Sequence, residues 1–564
     1  MVKTPIFLLI LASLAPVAFA AGGSCPASVP AGVTSCYYAD AASGSDSNPG
    51  TSESSPWQHL PGMTDCTGLC ASTTPAAGEG FIVKGGSTWH ESTGSPVGLP
   101  WSWTWSGTAN SPVYIGVDAS WFSGSAWGRP VLTQDNPLST VLLSSCTYDD
   151  STKEAVTLSG SYIDFDNFEF TGKCWSGQTD GPSSPGTVDI RSATYTTVEH
   201  SYFHGWSSTT SSYDSNYMIV GTAANTATHN AISYDVFDGS DAMHGTTTAS
   251  NQCGSKTFNG PPCQSGFAIY GDGYDLDHNV FRYLSNGIIG NNYYTVHDNL
   301  FEYMWNSYDG YNHPNVVESG TQALVGSPVY FYNNVIENTH MNVGVWLMYG
   351  GAGYVFNNDW YYNDDGASGV GGSPNINCFM MSPGTSSTSP TIYIYNNTFA
   401  ADDTVCQFNF YAGNSATPAW SGAAHFENNH FIGAATALST LIDCQGGSCN
   451  TSDGGGEVYQ TVSVANGQGY TAANMYAPTA TGNATVGAGT NLTSECTTFS
   501  PDSALCSGTT GSVKEAASGT AVAPAIPAIA RPVTGAWNTG AFQFGTKTAP
   551  SPPTGLTGTV KPGL

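Results

Sequence analysis

The chain has 564 residues, with 12 Lys and Arg against 41 Asp and Glu, giving a formal net charge of −29. Nucleic acid and anionic membrane surfaces are excluded as partners, because both require clustered basic residues. The 67 Gly and 32 Pro do not signal low complexity, since 40% hydrophobic and 12% aromatic residues supply a core.

Residues 1–20 carry Lys3, the apolar run from Ile6 to Ala18 and the small-x-small ending Ala18-Phe19-Ala20. This pattern predicts a secretory signal peptide, so the expected protein is extracellular and has no membrane contact after cleavage. Fourteen cysteines fall into seven local pairs: Cys25 with Cys36, Cys66 with Cys70, Cys146 with Cys174, Cys253 with Cys263, Cys378 with Cys406, Cys444 with Cys449, and Cys496 with Cys506. In an oxidising compartment the expectation is disulfides between these nearest neighbours.

From about residue 160 to 435 one phrase recurs: alternating apolar residues, an Asn-rich position, then a large apolar anchor. Copies include YDLDHNVF (274–281), YTVHDNLF (294–301), VYFYNNVI (329–336), YVFNNDW (354–360), IYIYNNTF (392–399) and HFENNHF (425–431), with weaker ones at 195–203 and 232–237. The anchors are Phe203, Phe237, Phe281, Phe301, Ile336, Trp360, Phe399 and Phe431, spaced from 20 (Phe281 to Phe301) to 44 residues (Phe237 to Phe281). Period-2 alternation argues strands, and a short coil that accepts insertions argues a parallel β-helix with two or three strands per coil. Asn279, Asn299, Asn334, Asn358, Asn397 and Asn429 all stand two before an anchor, which predicts a stacked structural ladder at one corner.

These repeats resemble those of secreted right-handed parallel β-helix proteins, the pectate-lyase-like superfamily of carbohydrate-active proteins. The opening YYADAASGSDSNPGTSESSPWQHL (37–60), the segments GEGFIVKGGSTWHE (78–91) and SGTANSPVYIGV (106–117), and the closing RPVTGAWNTGAFQF (531–544) carry the same resemblance. It implies an all-β, single-stranded right-handed solenoid with inserted loops and local disulfides. The organisation expected is a signal peptide (1–20), a first segment with the initial coils (21–150), central repeats (151–445), last coils with a closing segment (446–544) and a Pro/Thr-rich tail (545–564). The resemblance specifies a fold and leaves activity open, because such folds host lyases, hydrolases and non-catalytic proteins.

Alternation places the residues four and six before each anchor outward. Asp275, Asp277 and His297 then face solvent on neighbouring coils, followed by Tyr330, Tyr332, Tyr354, Phe356, Tyr393 and Tyr395. The six rings form either an extended glycan groove or an outer core covered by a loop or by residues 446–530. Asp275 and Asp277 are roughly 6.5 Å apart at Cα, a spacing that favours a general acid and a water-activating base in an inverting glycosidase. A second constellation joins Glu302, Asp309, His313 and Glu318 in an inserted loop, and a third joins Asp238, Asp241 and His244. Asp359, Asp364 and Asp365 are candidate calcium ligands. Arg282 is a substrate-binding candidate beside the Asp275/Asp277 coil.

The leading expectation is a polysaccharide hydrolase that requires no cofactor. The alternatives are a calcium-assisted polyuronate lyase and a non-catalytic glycan-binding protein. A polysaccharide is the expected partner, and a monomer the default state.

Overall fold

A computed structural model of the chain describes residues 22–545 except 140–142, 149–152, 177–184, 210–216, 223–227, 241–266, 272, 285, 291–293, 303, 305–314, 320–327, 338–342, 348–351, 363–375, 382–388, 390, 402–405, 412–418, 434–435, 446–447, 500–502, 512, 517–518 and 525–527. Among the described residues the strands build three long parallel sheets of 13, 11 and 12 strands. A single coil shows the rule. Tyr274–Asp277 lies in sheet I, Val280–Arg282 in sheet III and Asn286–Gly290 in sheet II, after which Thr295–His297 returns to sheet I beside the first strand. The chain is a parallel β-helix with three strands per coil.

Alternation decides what fills the interior. Leu276, Val296, Phe331, Val355 and Ile394 on sheet I point inward and are buried. The anchors stack from coil to coil along sheet III, with ring centroids at 4.7 Å for Phe170/Phe203, 4.9 Å for Phe203/Phe237, 5.0 Å for Phe237/Phe281 and 4.7 Å for Phe281/Phe301. Strand spacing of about 4.8 Å enforces this, because identical positions on successive parallel strands must stack.

The corner between sheets I and III is built from two adjacent columns. The first residue takes the left-handed conformation, with φ between 54° and 75° at Asn167, His200, Tyr234, His278, Asp298, Asn333, Asn357, Asn396 and Asn428. Asn, Asp and His tolerate this region better than most residues, which accounts for most of the column. The second residue forms the expected ladder. Asn334, for example, accepts from the Asn299 amide at 3.1 Å and donates through Nδ2 to Asn358 Oδ1 at 3.0 Å and to the Val296 carbonyl at 2.9 Å. The six asparagines are all fully buried and act structurally.

The C-terminal segment wraps back over two faces of the solenoid. On sheet III, Ala465, Tyr470, Tyr476, Val513 and Ala521 cover Val236, Val280, Leu300 and Val335. On sheet I, Leu492, Phe499, Leu505 and Trp537 cover Tyr332, Phe356 and Tyr395. Arg531, fully buried, fastens this wrap by donating to Asn357 Oδ1 and to the Asn538 and Gly540 carbonyls.

Six of the seven expected disulfides are present, joining Cys25 to Cys36, Cys66 to Cys70, Cys146 to Cys174, Cys378 to Cys406, Cys444 to Cys449 and Cys496 to Cys506. The seventh is not among them. Cys253 and Cys263 both lie outside the described residues, so the bond expected between Cys253 and Cys263 stays an expectation. The leader segment 1–20 and the tail 546–564 also lie outside the described residues.

Candidate active site on the uncovered face of sheet I

Among the described residues, the C-terminal wrap covers the aromatic half of sheet I and not its polar half. The register aligns Asp164, Thr197, Ala231, Asp275 and Thr295 in one outward column, and Asp166, Glu199, Ser233, Asp277 and His297 in the next. A third column comes from the left-handed corner, where His200, Tyr234 and His278 stack with centroids 5.3 and 4.6 Å apart. Five coils thus present carboxylates and imidazoles side by side on one surface.

Each histidine is oriented by a carboxylate. His200 Nδ1 lies 2.8 Å from Asp166 Oδ1, and Asp166 also accepts from the Tyr114 hydroxyl at 2.7 Å. His278 Nδ1 lies 2.7 Å from Asp277 Oδ2, and the Ser233 hydroxyl donates to Asp277 Oδ1 at 2.5 Å. His297 bridges Asp275 through Nε2 at 3.0 Å and Asp298 through Nδ1 at 2.7 Å.

The environments pull the acids apart. Burial, joined by the charges of Asp164 and Asp166, pushes the Glu199 carboxyl up to about 8. Burial, with Asp166 alongside, pushes Asp164 up to about 6. Burial also acts on Asp277, but the hydrogen bond from His278, the charge of His297 and the Ser233 hydroxyl outweigh it and hold that carboxyl below its usual range. For His297 burial disfavours the cation, yet its bonds to Asp275 and Asp298 prevail and push it up to about 10. A protonated Glu199 and an ionised Asp277 therefore share one face at neutral pH.

The structure gathers Asp275, Asp277 and His297, with one donor atom from each within 4.8 Å of the others. The carboxyl groups of Asp275 and Asp277 approach more closely than their backbone spacing suggests; Asp275 bonds His297, while Asp277 is held by His278 and Ser233. Asp277 is held ionised and Asp275 bonds the cationic His297. Asp166, Glu199 and His200 are equally close, but the Tyr114–Asp166–His200 hydrogen bonds already occupy that group. Asp275 and Asp277 are the better carboxylates for a hard cation.

The remaining candidates are dispersed. Arg282 and Glu302 lie on sheet III, a different face from the Asp275 strand; Arg282 pairs with Asp238 at 2.6 Å, and burial raises Glu302. Glu318 lies on sheet II and accepts from Asn315 at 2.8 Å. The expected cluster of Glu302 with Glu318 therefore does not form, because their strands belong to different sheets of the solenoid. Asp309, His313, Asp241 and His244 lie outside the described residues, as do Asp364 and Asp365. Asp359 is fully buried with both carboxyl oxygens unpaired, and burial raises it well above its usual value. It does not present a charged oxygen to a surface cation.

Of the two arrangements expected for the six rings, the described residues show the covered one. Tyr332, Phe356 and Tyr395 are buried under the C-terminal wrap, and Phe499 stacks on Tyr395 with centroids 4.8 Å apart. Tyr330, Tyr354 and Tyr393 keep partial exposure, but they stack on one another at 5.0 and 5.3 Å. Coil-to-coil stacking consumes the ring faces that a sugar would need, leaving only edges. The covered outer core is the arrangement observed.

Sequence reasoning overlooked Asp164, Asp166, His200, Tyr234, His278 and Asp298, and assigned no role to the outward-facing Glu199 and Ser233. The missing signal is the copy YIDFDNFEF (162–170), whose alternation puts Asp164 and Asp166 in the same outward columns as Thr197 and Glu199.

No family model matches the chain, and no curated protein matches it. Among solved structures, a GH136 lacto-N-biosidase from Eubacterium ramulus is 12% identical with a TM-score of 0.34, over 76% of this chain and 67% of that one. A mannuronic acid specific polysaccharide family 6 lyase from human gut microbiota is 10% identical with a TM-score of 0.36, over 69% and 79%. A rhamnogalacturonan lyase is 14% identical with a TM-score of 0.35, over 68% and 86%. Likenesses this distant do not bear on the activity, which rests on the site.

Proposed function

We propose that the chain is a carbohydrate-active enzyme that hydrolyses a neutral or weakly acidic polysaccharide on the uncovered face of sheet I. The observation carrying this reading is the contrast in surroundings of Glu199 and Asp277: burial beside Asp164 and Asp166 favours the protonated form of one, while the His278 and Ser233 hydrogen bonds favour the ionised form of the other. Two titratable groups driven apart by their surroundings define a general acid and a general base. Glu199 is the proton donor to the leaving glycosidic oxygen, and Asp277 the base that activates water. They stand two coils apart, with Ser233 between them in the register. Two strand spacings give about 9.6 Å at Cα, and the Ser233 bond draws the Asp277 carboxylate back toward Glu199. This suits the roughly 6.5–9.5 Å separation that leaves room for water in an inverting mechanism. Asp275 and His297 position Asp277, and the fixed imidazoles of His200 and His278 offer hydrogen bonds to sugar hydroxyls.

A second reading has one observation in its favour. Asp275 and Asp277 approach each other closely enough to bind a calcium ion, which would offset a uronate carboxyl in a lyase. A panel of neutral and uronate polysaccharides, assayed with calcium and with chelator, separates the two. New reducing ends without unsaturated-uronate absorbance, unaffected by chelator and lost in Glu199→Gln, support the hydrolase. Calcium-dependent ultraviolet absorbance contradicts it and supports the lyase. Binding without turnover would leave a glycan-binding protein.

A further inference from the structure

Two acidic side chains stand in register with the asparagine ladder, Asp235 before its first asparagine and Glu457 after its last. On the coil of Tyr234, Asp235 accepts from the Ser201 amide at 2.5 Å, and its own amide donates to Asn279 Oδ1 at 2.9 Å. The six asparagines obey one geometry. Each Nδ2 donates to the carbonyl three residues before the preceding ladder member: Asn279 to Ile232, Asn299 to Leu276, Asn334 to Val296, Asn358 to Phe331, Asn397 to Val355 and Asn429 to Ile394. The equivalent carbonyl for Asp235 belongs to Val198. Its Oδ2 thus occupies the place of an amide NH2, between acceptors, and no donor reaches it. An oxygen facing only acceptors in a site closed to water is satisfied only if it carries a hydrogen.

We propose that Asp235 is a protonated, hydrogen-donating rung of the ladder, and that this proton locks the coil beneath the Glu199–His200 corner. The lock makes the fold acid-favoured, independently of whichever reaction the face performs. Full burial favours the neutral acid in the same sense. The ionisable neighbours facing Asp235 are Glu199 and His200 from the preceding coil and Arg129, which leads into the sheet III strand Val131–Thr133. Glu199 disfavours the carboxylate, while His200 and Arg129 favour it without a hydrogen bond to it. At the far end the ladder terminates on Glu457, which accepts from both the Asn429 amide and its Nδ2. Burial raises Glu457 as well, but both of its oxygens accept from Asn429, so only Asp235 stands where the ladder needs a donor.

The sign follows from linkage. The unfolded chain releases this proton near pH 3.9, whereas the folded chain keeps it. Stability from the group is complete below about pH 4 and falls as pH rises, by up to tenfold in the folding constant per unit, until the folded carboxyl ionises. Asp235→Asn supplies a permanent donor in the same shape. Thermal unfolding of the full chain and of Asp235→Asn, with Glu199→Gln as a control for the neighbouring titration, tests this from about pH 4 to pH 8. The expected result is a melting temperature of Asp235→Asn near that of the parent at low pH and increasingly above it as pH rises. The infrared absorption of buried protonated carboxyls should lose one component in Asp235→Asn that Glu199→Gln leaves in place. A difference that does not change with pH, a variant destabilised throughout, or a carboxyl band insensitive to the substitution would overturn the proposal.

Discussion

Glu199 gains its acidity control from three coils at once. Asp166 and Asp164 lie in register on the preceding coil and Asp277 lies two coils beyond, so ionising Glu199 adds charge to an already anionic row. Glu199→Gln should lower kcat by about 10²- to 10⁴-fold with little change in KM, the usual contribution of a positioned acid. Asp277→Asn should cost a similar factor, and its product analysis should show the lost step rather than lost binding. The pH profile follows from the directions of the shifts. Activity needs Glu199 protonated and Asp277 ionised, so it falls as pH rises through about 8, and on the acid side it persists below the ordinary carboxylate range. Asp164→Asn removes one of the charges that raise Glu199. The alkaline limb should then move to lower pH; an unmoved limb would assign it to another group.

Among the strands and corners, the ladder and the anchor stack are the parts held most tightly. Asn334→Ala would leave the Asn299 amide without an acceptor in a sealed corner, while Asn299 Nδ2 keeps the Leu276 and His297 carbonyls, at roughly 1–3 kcal/mol for one buried donor. Denaturant melts read this directly, and a loss under about 1 kcal/mol would contradict the role given to the ladder. The ladder was legible in the sequence because one residue type recurs at one offset from each anchor. The left-handed neighbour was less legible: its occupants vary among Asn, Asp and His and include Tyr234, which that preference would not have grouped with asparagines. The outward carboxylates were legible only where the repeat is strong. Asp275, Asp277 and His297 sit in clear copies, whereas Asp164 and Asp166 sit in one where Phe168 stands at the ladder position.

The whole molecule is asymmetric along its axis, with one stretch of sheet I covered and one uncovered. What decides the boundary lies in residues 485–541, whose Gly, Ala and Thr content shows no periodicity, so groove and covered core both stayed open on the sequence alone. The structure resolves this through Phe499, which packs among Tyr354, Phe356, Tyr393 and Tyr395. Phe499→Ala should destabilise the protein by about 3–5 kcal/mol while leaving turnover on the adjoining carboxylate face intact at temperatures where it stays folded. A selective loss of substrate affinity would return the covered rings to the binding surface.

The proposed activity rests most directly on Glu199 keeping its proton near neutral pH. Carboxyl carbon-13 NMR of glutamate-labelled protein, compared with Glu199→Gln to assign the resonance, measures that without any substrate. The expected titration midpoint lies near 8. A midpoint at the ordinary glutamate value of about 4.3 would contradict it and remove Glu199 as the acid.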